Sequence, residues 1–139
     1  AAAYCMATIG IFAVLIKMSD YTFEGFNGFA KKEPLLAALT AIFLFSLAGI
    51  PLTAGFMAKF YMIKTAMYNA GYLWLPITAL VMAAVSVSYY FRVIQAIYFK
   101  PSSGELNIEV SNGFRWSLLI ASLLIIALGI HPDWITLLL

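Results

Sequence analysis

The chain has few charged residues and a single cysteine, and both shortages narrow its possible functions. Only 10% of its 139 residues are charged, against about a quarter in an ordinary soluble domain, whereas 64% are hydrophobic. The formal net charge of +2 is too small, and the basic residues are too dispersed, to indicate nucleic-acid binding. Cys5 alone can form neither an internal disulfide nor a metal cage. The composition therefore predicts an integral membrane protein.

Several kinds of chemistry also find no support in the sequence. It contains no glycine-rich phosphate loop, no Cys/His spacing typical of a metal site and no nucleophile beside a base. No acidic residue lies inside any of its apolar runs. We therefore expect no cofactor and no metal in this chain, and we expect any partner of a buried cation to come from outside it.

The apolar runs predict an all-α integral membrane protein with four transmembrane segments. A helix needs about 20 residues to cross roughly 30 Å of hydrocarbon, and four runs are long enough or nearly so. They cover residues 1–18, 35–70, 73–99 and 114–130.

The second run is too long for one straight helix. Its length would reach about 54 Å, far more than the bilayer requires. Pro51 has no backbone N–H and follows closely on Gly49. We therefore predict a discontinuous helix broken near Gly49-Pro51, with half-helices at about Leu35–Ala48 and Thr53–Ala70.

Phenylalanines mark the connection between the first two segments. Phe23, Phe26 and Phe29 recur at every third residue, close to several charged side chains. This spacing predicts a short interfacial helix lying on the membrane surface.

The basic residues predict an orientation in the membrane. Six of them lie in, or near, the loops after the first and third segments, whereas only Lys64 lies near the opposite side. The six are Lys17, Lys31, Lys32, Arg92, Lys100 and Arg115. Because positive residues accumulate on the cytoplasmic side, we expect both loops in the cytoplasm and the C-terminus outside.

Lys59 lies deep inside the second segment and is the main candidate site. It is about nine to twelve residues, or roughly 14–18 Å, from the outward end of its helix. An ammonium in hydrocarbon costs several kcal/mol, so such a residue usually faces protein or a water-filled path. Burial disfavours its charged form, so the amine could exchange a proton. The alternative is a structural lysine paired permanently with a carboxylate.

Gly49, Pro51, Thr53 and Gly55 are the predicted helix break and polar path. Freed backbone carbonyls and the Thr53 hydroxyl can hold water there, because irregular backbone persists at that depth only against protein or water. Transporters commonly interrupt helices where an ion is handled. The alternative is an ordinary proline kink packed by small residues, and the residues alone leave both possibilities open.

The segment Leu44–Tyr61, LFSLAGIPLTAGFMAKFY, resembles the discontinuous twelfth helix of the NADH-quinone oxidoreductase subunit N family. These proteins are antiporter-like membrane subunits of bacterial respiratory complex I. Asp20–Pro34 and Ser88–Val93 are similar to the family's preceding loop and following helix. Subunit M typically has Glu at the position of Lys59, so the Lys-Phe-Tyr ending is more similar to subunit N. Many members have Pro where this chain has Leu52.

The resemblance implies that residues 1–139 are the C-terminal fragment of one antiporter-like membrane domain. It implies a proton-translocating, non-redox subunit of a translocase, not catalytic alone, in which Lys59 passes protons between a central hydrophilic axis and the outer surface. The implied location is the inner (plasma) membrane of a bacterium, multi-pass. The implied partners are lipid and the other membrane subunits of complex I, with quinone and NADH handled by other subunits.

Two other functions remain open at this point. One is a subunit of a multisubunit cation/proton antiporter, which shares the Pro-x-Thr-x-Gly-Phe core. The other is a structural membrane module in which Lys59 only holds helices together.

Overall fold

The computed structural model describes residues 2–18, 20, 22–68, 74–101 and 110–131. The described residues form helices and no strand, which confirms the all-α prediction. In chain order the elements are α1 (Ala2–Lys17), a 3-10 turn (Glu24–Phe26), α2 (Phe29–Lys32), α3 (Pro34–Ala48), α4 (Ala54–Met67), α5 (Trp74–Phe99) and α6 (Asn112–Ile130).

Helix α3 lies at the centre of the described fold. It packs against α1, α4, α5 and α6, and nine of its 15 residues are buried. Most of its less buried residues, namely Leu35, Ala38, Ile42 and Phe45, follow one face, and protein encloses the helix on its other sides. Pro34 occupies its first turn, where the missing N–H removes no helical hydrogen bond.

Helices α5 and α6 are each long and apolar enough to cross a membrane. Only four of the 26 residues of α5 are buried, so most of its apolar surface requires lipid or further helices to cover it. Helices α1 and α3 are apolar but shorter, with 16 and 15 residues. Helices α1, α5 and α6 lie at the positions of three predicted apolar runs, and α3 lies at the first half of the run 35–70.

The predicted break in the second segment is present. Helix α3 ends at Ala48 and α4 begins at Ala54, so five residues between them are not helical. The predicted outer end of this segment, Ala70, lies outside the described residues, as does most of the predicted loop 100–113.

The connection between α1 and α3 differs from the prediction of a surface helix. Phe26 and Phe29 are buried in the core, with ring centroids 6.4 Å apart in an edge-to-face arrangement, and only Phe23 is exposed. Gly28 has a left-handed φ of 70° that separates the 3-10 turn from α2, and its N–H donates to a carbonyl of α5. The regular spacing therefore marks a face that packs against protein, because α5 occupies the space that we assigned to lipid.

Two of the basic residues predicted to anchor the segment ends contact other parts of the chain. Arg115 Nη2 lies 3.1 Å from Glu33 Oε1, which joins the start of α6 to the start of α3. Lys17 Nζ lies 5.9 Å from the centroid of the Phe114 ring, within the range of a cation–π contact. These contacts hold one end of the helix group together.

Candidate functional site

Helix α3 ends in a Schellman turn at the break. The Gly49 N–H donates to the carbonyls of Phe45 and Ser46 at 2.9 and 3.1 Å, and the Ile50 N–H donates to that of Phe45 at 3.0 Å. Gly49 has φ 82°, a left-handed conformation that residues with a Cβ rarely adopt. The turn satisfies two of the last four carbonyls of α3 and leaves the final two without a backbone donor.

The Lys59 ammonium caps those final two carbonyls. Its Nζ donates to the carbonyl oxygens of Leu47 and Ala48, both at 2.9 Å. A cation is favoured there because the helix macrodipole places partial negative charge at the C-terminus. Among the residues that the structure describes, no carboxylate pairs with Lys59. The prediction that its partner comes from outside the chain is wrong, because α3 supplies two free backbone acceptors.

The aliphatic part of Lys59 lies directly over Gly49. A Cβ built on Gly49 would lie 2.9 Å from Lys59 Cδ and 3.1 Å from its Nζ. Gly49 therefore serves both the left-handed turn and the close passage of the lysine side chain.

The start of α4 is capped in return by a side chain of α3. The Gly55 N–H donates to Ser46 Oγ at 3.3 Å, and Ser46 is only 1% exposed. Thr53 precedes α4 without capping it, and its hydroxyl donates instead to the Ile50 carbonyl at 2.7 Å. Each half-helix thus caps the other, through Lys59 in one direction and Ser46 in the other. Sequence reasoning did not single out Ser46, since serine in an apolar run usually bonds within its own helix.

Gly55 permits the close crossing of the two half-helices. A Cβ there would overlap the Ser46 carbonyl oxygen, a backbone atom that cannot rotate away. The structure therefore places Gly49, Thr53, Gly55 and Lys59 together at the break.

Pro51 lies in the same turn but is exposed, and it contributes no N–H to the cap. The neighbouring Leu52 has a positive φ of 74°. No other non-glycine residue in the described part of the chain has a positive φ. A proline could not adopt this φ, since its ring holds φ near −65°. Leucine at position 52 is consistent with the turn that this chain forms.

Lys59 also lines a groove of about 240 Å³ between α4 and α5. The other lining residues are Met62, Ile63, Ala79, Met82, Ala83 and Ser86. A water molecule needs roughly 30 Å³, so the groove has room for several. Apart from Lys59 and Ser86 the lining side chains are apolar, so the groove offers room for water beside this lysine but few groups to hold it.

A family described as NADH:quinone oxidoreductase/Mrp antiporter, transmembrane, matches residues 1–87. This is more than half of the chain. The chain belongs to this family. The resemblance drawn from the helix-break segment is therefore confirmed.

Relatives within the family point to one branch. NADH-quinone oxidoreductase subunit N of Chloroflexus aggregans is 37% identical over 93% of this chain and 27% of its own length. The subunit N of Trichlorobacter lovleyi is 43% identical over 75% of this chain and 22% of its own length. This chain thus spans about a quarter of the curated relatives it matches.

A solved structure supports the same fold. Respiratory complex I from Thermus thermophilus with bound aureothin contains a chain that superposes with a TM-score of 0.83 at 32% identity. The match covers 94% of this chain and 31% of that one. The helix arrangement described above is therefore similar to that of part of one chain of this complex.

Proposed function

We propose that this chain is part of a proton-translocating membrane subunit of NADH:quinone oxidoreductase and that Lys59 transfers protons at the helix break. The observation that carries this proposal is the pair of 2.9 Å hydrogen bonds from Nζ to backbone carbonyls, with no carboxylate among the described residues paired to it. Relatives named subunit N support the assignment to this complex.

The hydrogen-bond count explains how the amine could lose its charge. A lysine ammonium has three N–H donors, and the neutral amine keeps two. The carbonyls of Leu47 and Ala48 take two donors. Both protonation states can therefore keep the cap, and the third proton is the one available for transfer. An unpaired buried carboxylate would be strongly unfavourable. Loss of the third proton from Lys59 creates none among the described residues, because its two acceptors are neutral carbonyls.

The third proton requires an acceptor, and the groove between α4 and α5 offers a place for one. Lys59 and Ser86 both line this groove. The Ser86 hydroxyl donates to carbonyls of its own helix at 2.8 and 3.0 Å, so its oxygen remains able to accept from water. Water in the groove would connect the amine to the surface of the helix group.

We further propose that the chain crosses the bacterial plasma membrane four times, as α1, the α3–α4 pair, α5 and α6. The two half-helices, of 15 and 14 residues, share one crossing around the break. Residues 1–139 would form the C-terminal part of one antiporter-like domain. Other membrane subunits of complex I would be its neighbours, and NADH, quinone and the redox cofactors would be handled by other subunits.

A structural role for Lys59 is the second candidate. The observation that favours it is the cap itself, because a permanently charged lysine would satisfy the same two carbonyls and join α3 to α4. The two roles differ in whether the third proton moves.

Replacing the lysine in the full-length subunit of the assembled complex tests the proposal. Lys59→Ala should leave assembly intact and reduce proton pumping into inverted membrane vesicles several-fold, with a fall in NADH:quinone electron transfer if the two are tightly coupled. Lys64→Ala is the matched control, since Lys64 is on the same helix and exposed. Unchanged pumping in an assembled Lys59→Ala complex would refute proton transfer by this residue.

A further inference from the structure

Helix α6 meets the helix break at Gly129. Gly129 is buried near the end of α6, and a Cβ built on it would lie 2.5 Å from the Leu52 carbonyl oxygen and 2.5 Å from the Thr53 carbonyl carbon. Both are backbone atoms, so no change of rotamer relieves the overlap. Only a glycine allows the broken segment to rest on α6 in this position.

The backbone that rests on Gly129 has a conformation that needs support. Leu52 has φ 74°, a left-handed conformation that is strained for a residue with a Cβ. Its side chain is 70% exposed, so side-chain packing within the described residues does little to hold it. The contact between the Leu52 carbonyl and Gly129 is therefore one restraint on this turn, beside the hydrogen bond from the Thr53 hydroxyl to the Ile50 carbonyl.

Movement of the turn would reach Lys59 through α4. The Thr53 carbonyl accepts hydrogen bonds from the N–H groups of Phe56 and Met57, at 3.1 and 3.4 Å, and so forms part of the first turn of that helix. Lys59 lies on the following turn. Relief of the overlap would shift this backbone by about 0.9 Å, since ordinary contacts begin at 3.4 Å. A displacement of that size would change the distances and angles of the 2.9 Å hydrogen bonds from Lys59 Nζ to Leu47 and Ala48.

We propose that Gly129 is a positioning residue for Lys59. Because Gly129 has no side chain, the Leu52–Thr53 turn packs directly on its Cα, and this contact sets the position of α4 relative to the end of α3. This proposal rests on the proposed function of Lys59 and extends the site to the last helix of the described fold. The methyl group of an alanine would leave α6 itself intact, because alanine is a better helix former than glycine.

The test is Gly129→Ala in the full-length subunit of the assembled complex, in inverted membrane vesicles. Protons pumped per NADH oxidised should fall roughly ten-fold, since misplacing a reacting group by about 1 Å can cost up to ~100-fold in rate. Gly113→Ala is the matched control, because Gly113 is in the first turn of the same helix and a Cβ there meets nothing within 4 Å. This control should pump like the wild type.

A rescue separates positioning from loosened packing. Leu52→Gly removes the Cβ at the turn, so in the Gly129→Ala/Leu52→Gly double variant the peptide between residues 52 and 53 can rotate away from the methyl group and less of the shift passes into α4. We expect it to regain at least half of the lost pumping. A structural role for Gly129 in α6 packing predicts no such recovery.

Two results would overturn the proposal and leave the function of Lys59 standing. One is normal pumping by Gly129→Ala while Lys59→Ala is impaired. The other is loss of pumping or assembly in Gly129→Ala that Leu52→Gly does not restore. Normal pumping by Lys59→Ala would instead refute the proposed function itself.

Discussion

The two ends of helix α3 each hold a cation, but with different partners. At the start of α3 the Arg115 guanidinium pairs with the Glu33 carboxylate at 3.1 Å, and both side chains are partly exposed. At its end the Lys59 ammonium meets only the backbone carbonyls of Leu47 and Ala48 among the described residues.

The difference between the two partners implies that the charge on Arg115 is fixed, whereas Lys59 can lose its charge. A carboxylate partner stabilises the charged form of its cation, and removing the cation leaves an unpaired anion. Backbone carbonyls are neutral, and a neutral amine can still donate to both of them. The same helix thus carries a structural ion pair at one end and, at the other, an arrangement suited to proton exchange. Variants at the two ends should therefore behave differently.

The largest effect among these variants is expected from Gly55→Ala at the lysine end. Its methyl group would overlap the Ser46 carbonyl oxygen and force α4 away from α3. Overpacking of this kind costs about 1–3 kcal/mol, and the shift would also separate Lys59 from its acceptors. Thermal unfolding of the purified complex should occur at a lower temperature, and pumping should fall. If Gly55→Ala matches the wild type in both measurements, the crossing of α3 and α4 is looser than described.

A smaller effect is expected from Ser46→Ala. This change removes the acceptor of the Gly55 N–H and leaves a partly buried donor unsatisfied, at a cost of about 1–2 kcal/mol. Pumping should fall less than in Gly55→Ala, since no backbone is displaced. Ser86→Ala is a useful comparison for stability, because that hydroxyl donates within its own helix. Equal thermal stability of the two variants would argue against the reciprocal cap.

The smallest effect is expected from Glu33→Gln at the other end of α3. The two side chains of this pair are 35% and 23% exposed, and such pairs contribute about 0.2–1 kcal/mol. Thermal stability should fall slightly at low salt and by less at high salt. Proton pumping per NADH oxidised should not change. A large loss of pumping in Glu33→Gln would remove the contrast between the two ends.

Local chemistry accounts for what the sequence could predict. Proline and glycine restrict the backbone wherever they occur, so the break at Gly49 and Pro51 follows from the residues themselves. The depth of Lys59 in the membrane stays a prediction from segment length. Apolar runs located all the described long helices for the same reason.

Contacts between distant parts of the chain account for what the sequence did not reveal. The sequence predicts an outside partner for Lys59, because no acidic residue lies in the apolar runs, and it predicts water at the freed carbonyls, where the structure places the Lys59 ammonium. In the sequence, Ser46 and Gly129 are ordinary small residues. Their roles depend on contacts with the start of α4 and with the Leu52–Thr53 turn. Phe26 and Phe29 were assigned to the membrane surface, because their spacing defines a face without showing what covers it.

The most direct test of the central claim is proton pumping by a Lys59→Arg complex, measured beside its assembly and thermal stability. Arginine keeps a charge and several N–H donors for the end of α3, but its guanidinium does not release a proton in proteins. We expect normal assembly, stability close to the wild type and pumping as low as that of Lys59→Ala. A Lys59→Arg complex that pumps at the wild-type rate would show that the charge at the break only holds the helices together.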